Sequence, residues 1–346
     1  MKVYILICVV LLASCSESID RVVNKIFPQE LVLAPELYKI NEVLKPVDIV
    51  VLDDYLIIQN EIIPNADCFF VYTLDSLRFL YSFARNGHGP EEFIAPALVQ
   101  NDSGNYLSVF DQASFKLIKY EIGKESASLA TKCRILTKDK RPWQEIYYRN
   151  DSILVFSTLN NRIQTYNMNT KALVDSFSFL SNLKELMEEN YNHSFENFHF
   201  ACYDERLIVG FNFMNKIVGG TIEDNGKIEM EEAEINFEAP LDKSIFNNRY
   251  YYMYTTLTSD LAFAQYVGYI FRDLQPFPLN IGRRRFDMLL EVYNSRQDPI
   301  AILDLQHNIL RCKVDECRRK IYTWNMLEDF DNLMVYDYSM LGDSII

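Results

Sequence analysis

The sequence predicts an all-β chain, a six-bladed β-propeller of four-stranded antiparallel blades with short helical insertions, and three observations carry that prediction. Hairpins of one design, an apolar strand, an Asp/Asn turn and a second apolar strand, recur about every fifty residues with a longer gap before the last, which is a propeller-like period. Aromatic residues make up 14% of the chain, with 22 Tyr and 23 Phe, a composition that suits strands. Only 11 Gly and 11 Pro are present, with no Ser/Gly-rich or Pro-rich tract to act as an interdomain linker, so one large β domain is expected.

Residues 1–14 read as a secretory leader, with Lys2 as the charged start and 3–12 as the apolar core. Leu12-Ala13-Ser14-Cys15 fits a bacterial lipobox, cleaved before Cys15, whose thiol would then carry the lipid. An ordinary signal peptide with a chance cysteine is the alternative. Each lipid methylene buried in a bilayer contributes about 0.8 kcal/mol, so the acylated cysteine is expected to anchor the chain. Ser16 fits sorting to the outer membrane. No later segment has the length and apolarity of a membrane-spanning helix. Residues 15–30 are then a tether and 31–346 the propeller.

The repeating hairpins are expected at 49–58, 98–111, 146–156, 200–209, 254–263 and 326–336. Second hairpins fall at 69–83, 162–179, 216–230 and 301–314, and two hairpins make a blade. A strand near Leu31 is expected to complete the last blade and leave no free sheet edge. Two stretches depart from the pattern: 180–192, helical in its spacing with Ser181 or Asn182 as cap, and 271–294, with a helical-looking 286–293. Both read as insertions at one face of the propeller.

The stretch Arg85-Asn86-Gly87-His88-Gly89-Pro90-Glu91-Glu92-Phe93 lies between two strand-like runs. Its glycines permit positive φ and close backbone approach, and Pro90 fixes the path. It reads as a rigid connector whose polar groups are Arg85, His88 and Glu92. A phosphate loop would need a helix after the glycines, which Pro90 and Pro96 oppose. Gly87, Gly89, Pro90, Glu92 and Phe93 resemble the G-x-G-P-x-E-F signature of TolB-like six-bladed β-propeller lipoproteins from Bacteroidetes. The resemblance implies a fold and an envelope address, and almost nothing about chemistry.

Chemical motifs are sparse. The net charge of −14 argues against nucleic acid as a partner. Cys68, Cys133, Cys202, Cys312 and Cys317 are an odd set; Cys312 and Cys317 could bridge across a hairpin, and the other three read as buried thiols. The four histidines are scattered, and His193 and His199 lack the spacing of a helical zinc pair. No metal or cofactor is expected. Arg283-Arg284-Arg285 reads either as a site for an anionic group or as a solvated face. Trp143 and Trp324 suit sugar stacking or core packing. With Arg85 and His88, these arginines and Trp143 are the ligand-binding candidates.

The expected function is an outer-membrane, lipid-anchored module that binds an envelope protein or glycan. The alternative is a propeller hydrolase or lyase acting on carbohydrate or lactone substrates. That alternative requires ionisable groups to converge at a channel mouth, with His88 or His199 near acids and a cation. An assembly role at the envelope is a third reading, by analogy with the periplasmic TolB propeller.

Overall fold

The computed structural model describes residues 25–100, 104–135, 143–158, 162–179, 198–232, 249–270, 289–307, 309–325 and 329–342. The described chain opens with β1 (Gln29–Val32) and β2 (Glu36–Lys39). A meander of β3 (Pro46–Val51), β4 (Tyr55–Asn60), β5 (Asp67–Thr73) and β6 (Phe79–Arg85) forms the first sheet. Two more meanders follow: β7 (Pro96–Gln100), β8 (Tyr106–Asp111), β9 (Lys116–Ile122) and β10 (Ala127–Arg134); then β11 (Trp143–Asn150), β12 (Ile153–Thr158), β13 (Arg162–Asn167) and β14 (Ala172–Phe177). These two share one eight-stranded sheet, because β7 and β11 pair in parallel with Ile146 opposite Val99.

The next sheet is β15 (Phe198–Tyr203), β16 (Arg206–Phe211), β17 (Ile217–Ile222) and β18 (Ile228–Met230). It is followed by β19 (Arg249–Leu257), β20 (Ala262–Ile270), β21 (Leu289–Tyr293) and β22 (Pro299–Asp304), and last by β23 (Ile309–Asp315), β24 (Lys320–Asn325) and β25 (Asp329–Asp337). The first strands touch in cyclic order, β3 to β7, β11, β15, β19, β23 and back to β3. The chain is therefore an all-β propeller. No helix occurs among the described residues, and so none that could cross a membrane.

Side-chain chemistry fixes the turns. Asn150 Oδ1 accepts from the backbone N–H groups of Ser152 and Ile153, both at 3.0 Å, and Asn167 Oδ1 does the same for Asn169 and Thr170 at 2.9 Å. Gly226 takes φ 95° in the β17–β18 hairpin, a conformation open to glycine. The second strands of the sheets, such as β4, β12 and β16, are buried almost throughout because sheets stack face to face around the ring, whereas the outer strands β10 and β14 are largely exposed. Leu56 and Ile58 of β4 pack with Trp324 and Leu333 of the last sheet, while Ile57 packs with Leu98 and Val109 of the second.

Several expectations are corrected. The strand holding Leu31, β1, does not complete the last sheet: it pairs in parallel with β22, Gln29 opposite Ala301, as a fifth strand. The next strand, β2, completes the last sheet, antiparallel to β25 with Glu36 opposite Val335. Docking also begins inside the expected tether, where Lys25 Nζ donates to Tyr252 OH at 2.6 Å and to Tyr293 OH at 3.0 Å.

Residues 301–314 are not a hairpin, since β22 and β23 belong to successive sheets, and most of 326–336 lies within the single strand β25. Of the two expected helical stretches, 180–192 and 271–288 lie outside the described residues. Leu289–Tyr293, expected as the end of a helix, is the strand β21 with all five residues buried. Leu-Leu-Glu-Val-Tyr is a short apolar run that fits either period, and β20 and β22 on its two sides decide the matter.

Candidate functional site at the ring axis

The first strands all run the same way around the axis, and near their starts they carry polar residues among apolar ones: Asp48 in β3, Glu145 in β11, His199 in β15 and Arg311 in β23. Tyr254 joins them from β19. This end of the ring is called its head here, and the end where the first strands finish its foot. Arg311 Nη1 donates to Asp48 Oδ2 at 3.0 Å, and Asp48 Oδ1 accepts from the Ile49 N–H at 2.9 Å. The guanidinium carbon lies 5.5 Å from the centre of the Tyr254 ring, within cation–π range. Asp48 holds the Arg311 guanidinium in its charged form more firmly than usual, and burial pushes the Tyr254 phenol well up.

Glu145 is placed by an irregularity in the backbone. Its φ is 46°, a left-handed value that glutamate seldom adopts, and the β11–β12 register shifts between Gln144 and Tyr147. Such a bulge re-aims a side chain, and the strained conformation is held by the bonds that the side chain makes. Glu145 Oε1 meets His199 Nδ1 at 2.6 Å, and Oε2 accepts from the Phe200 N–H at 2.9 Å. Tyr147 OH donates to Phe200 O at 3.1 Å from the same side. The carboxylate is thereby fixed across the boundary between β11 and β15.

Asp48, Glu145, Tyr254 and Arg311, with Gln100 and Gln112, line a cavity of ≈240 Å³ at the head. Its volume is below the roughly 300 Å³ at which pockets for drug-sized ligands begin, so it suits a small polar molecule or the end group of a larger one. Carboxylates accept from hydroxyls, and side-chain amides both donate and accept, as recognition of a polyhydroxylated ligand needs. His199 stands behind Glu145 and does not line the cavity. No group of three metal-ligating side chains occurs among the described residues.

The residues singled out in the sequence are dispersed. Cys15 and Arg283-Arg284-Arg285 lie outside the described residues, as does His193. Trp143 opens β11, opposite Thr158. Trp324 is fully buried between the last and first sheets, so it packs in the core and offers no stacking face. Cys312 and Cys317 are free thiols: Cys312 is buried within β23, with its thiol pushed up to about 12, and Cys317 sits in the exposed turn that follows. Cys133, expected to be buried, is exposed on the outer strand β10.

The connector at 85–93 joins β6 to β7. Arg85 and His88 are exposed, while Phe93 is fully buried against Phe69 and Tyr120 between the first two meanders. Neither Gly87 nor Gly89 has a positive φ; they are needed for room instead. Glu92 folds back beneath them, its Oε2 accepting from the Gly89 N–H at 2.7 Å, and a Cβ on Gly87 would lie 2.2 Å from that oxygen. Lys116 Nζ ties the loop down at the Glu92 carbonyl, 2.6 Å away, and Lys132 does so at the Pro90 carbonyl.

Asp48, Glu145, Tyr254 and Arg311 were not visible as a site in the sequence, because each sits alone in a different repeat. Aligning the first strands of the repeats would have shown an ionisable residue recurring near the start.

A family model described as TolB-like 6-blade propeller-like matches residues 24–208. No protein of the curated set matches the chain. Among solved structures, a Bacteroides fragilis protein described as exported is similar over 90% of this chain and 98% of its own, at 11% identity and a TM-score of 0.55. The Cps50 (Swd1) β-propeller domain of Myceliophteria thermophila is similar over 88% of this chain and 100% of its own, at 10% identity and a TM-score of 0.50. At such identities the likeness is one of fold.

Proposed function

Since the chain belongs to the TolB-like 6-blade propeller-like family, we propose that it is a lipid-anchored envelope module that binds a small polar ligand, or the end residue of a glycan, at its axis. In this reading each four-stranded meander is one of six blades, with β2 completing the last. Residues 1–14 are the leader, Cys15 carries the lipid, and the stretch after it spans from the outer membrane to the docked chain at Lys25.

The observation that carries the binding reading is the state of the charges at the head. Arg311 is neutralised by Asp48, and Glu145 is committed to His199 and to the Phe200 N–H. Groups held in this way recognise a ligand by shape and hydrogen bonding and keep their geometry when it leaves. An envelope glycan or protein supplies such a ligand, whereas the acidity of the chain disfavours nucleic acid.

One observation favours the hydrolase or lyase reading: the cavity-lining carboxylate of Glu145 is backed by an imidazole and set near a cation, an arrangement suited to proton transfer. Thermal unfolding against sugars, uronic acids and peptidoglycan fragments tests binding. Each ligand that stabilises is then assayed for turnover, and turnover lost in Glu145→Gln would establish the enzyme. For the anchor, labelling with a radioactive fatty acid is expected in the parent chain and absent in Cys15→Ser.

A further inference from the structure

Lys313 lies two residues after Arg311 on β23, so both side chains leave the same face of the strand. Arg311 lines the cavity at the head, and Lys313 lines a second cavity of ≈270 Å³ at the foot; Gln100 borders both. Lys313 is only 9% exposed, and its ammonium has no hydrogen bond or ion pair among the described residues. A largely buried lysine without a partner is costly, which sets this position apart from Arg311, whose charge Asp48 matches.

The charged groups around it explain why no partner reaches it. Asp48 from β3 and Glu145 from β11 act on Lys313 at longer range, against the like charge of Arg311 and with the neighbouring Cys312. Among the acids at the foot, Asp315 is held by Arg318 at 2.9 Å, while Glu316 accepts from Thr258 Oγ1 and the Ser259 N–H, both at 2.9 Å. Asp53, Tyr203 and Cys317 complete the titratable lining. An anionic ligand would enter past Asp53, Asp315 and Glu316, which disfavours it.

We propose that Lys313 is a carbonyl-capturing amine, which forms an imine with a small aldehyde or ketone, including an open-chain reducing sugar, that enters the cavity at the foot of the ring. The amine lone pair adds to the carbonyl carbon, and the carbonyl oxygen then leaves with both nitrogen hydrogens as water, so that a C=N bond remains. The neutral amine that this step requires is favoured because burial brings Lys313 down to about 8. The proposal stands on a different cavity from the binding site at the head and does not depend on it.

The test exposes the purified full chain to a limiting amount of glyceraldehyde with cyanoborohydride, which reduces the imine to a stable secondary amine. Peptide mapping then reads the modification at every lysine. Lys313 is expected to be labelled about ten-fold or more faster than the surface lysines near neutral pH. Its rate should reach half its maximum near pH 8, and Lys313→Arg should remove that label while the far-ultraviolet circular dichroism is unchanged. Labelling of Lys313 no faster than that of the surface lysines, or a rate that climbs only above about pH 10, would overturn the proposal.

Discussion

Arg311 Nη1 lies 3.0 Å from Asp48 Oδ2, joining residues 263 apart in sequence across the seam where β23 meets β3. The pair is both a wall of the head cavity and a clasp on the ring. Asp48→Asn leaves the guanidinium without its carboxylate and is expected to cost about 1–3 kcal/mol, below the usual range for a fully buried pair because the Arg311 side chain is 36% exposed. A double-mutant cycle with Arg311→Met, followed by urea unfolding, should give a coupling of about 1 kcal/mol or more. Strict additivity would show that the pair does not clasp the ring.

Gly87 and Glu92 are coupled by space. Gly87→Ala places a methyl where Glu92 Oε2 lies, so the carboxylate must leave the Gly89 N–H, at an expected cost of about 1–3 kcal/mol. In a Glu92→Ala background the same substitution should cost clearly less. Equal costs in the two backgrounds, measured by denaturant unfolding, would contradict the steric account.

The N-terminal strands should contribute unequally. Deletion through residue 33 removes β1, an added fifth strand, together with the Lys25 contacts to Tyr252 and Tyr293. Deletion through residue 39 also removes β2 and leaves β25 as an open edge. The shorter deletion is expected to lower the unfolding midpoint and keep a cooperative transition, whereas the longer one broadens or abolishes it.

The buried amine of Lys313 gives the stability a pH signature. Its value falls from the ordinary 10.5 to about 8, so between these values the unfolded chain keeps a proton that the folded chain has shed. Stability attributable to this group therefore rises with pH across that window and is lowest below about pH 8, where the penalty is on the order of 3 kcal/mol. Lys313→Met should be more stable than the parent at pH 7, and the difference should close as pH approaches 10.5. A variant less stable than the parent at pH 7 would contradict this.

The fold was legible where chain chemistry is local. Asn150-Asp151, Asn169-Thr170 and Asn225-Gly226 mark hairpins that the structure contains, and the apolar runs between them reflect strands buried on both faces. Legibility failed where pairing is remote. Glu36-Leu37-Tyr38-Lys39 is polar enough to pass for loop, and only β25, about three hundred residues later, makes it a strand. The axial site was hidden for the same reason: Asp48, Glu145 and Arg311 meet only when the ring closes, and the bulge that aims Glu145 has no mark in Trp-Gln-Glu-Ile-Tyr. The G-x-G-P-x-E-F loop marked the family while serving as a connector, which is why the most recognisable stretch lies outside the proposed site.

The most direct test of the axial binding site is calorimetric titration of the stabilising sugar, uronic acid or peptidoglycan fragment into the parent, Glu145→Gln and Arg311→Met chains. The account predicts a single site in the parent, weakened at least about ten-fold in both variants, each removed partner costing more than about 1.4 kcal/mol of affinity. Unchanged affinity in both variants, or no ligand of these classes bound by the folded parent, would contradict it.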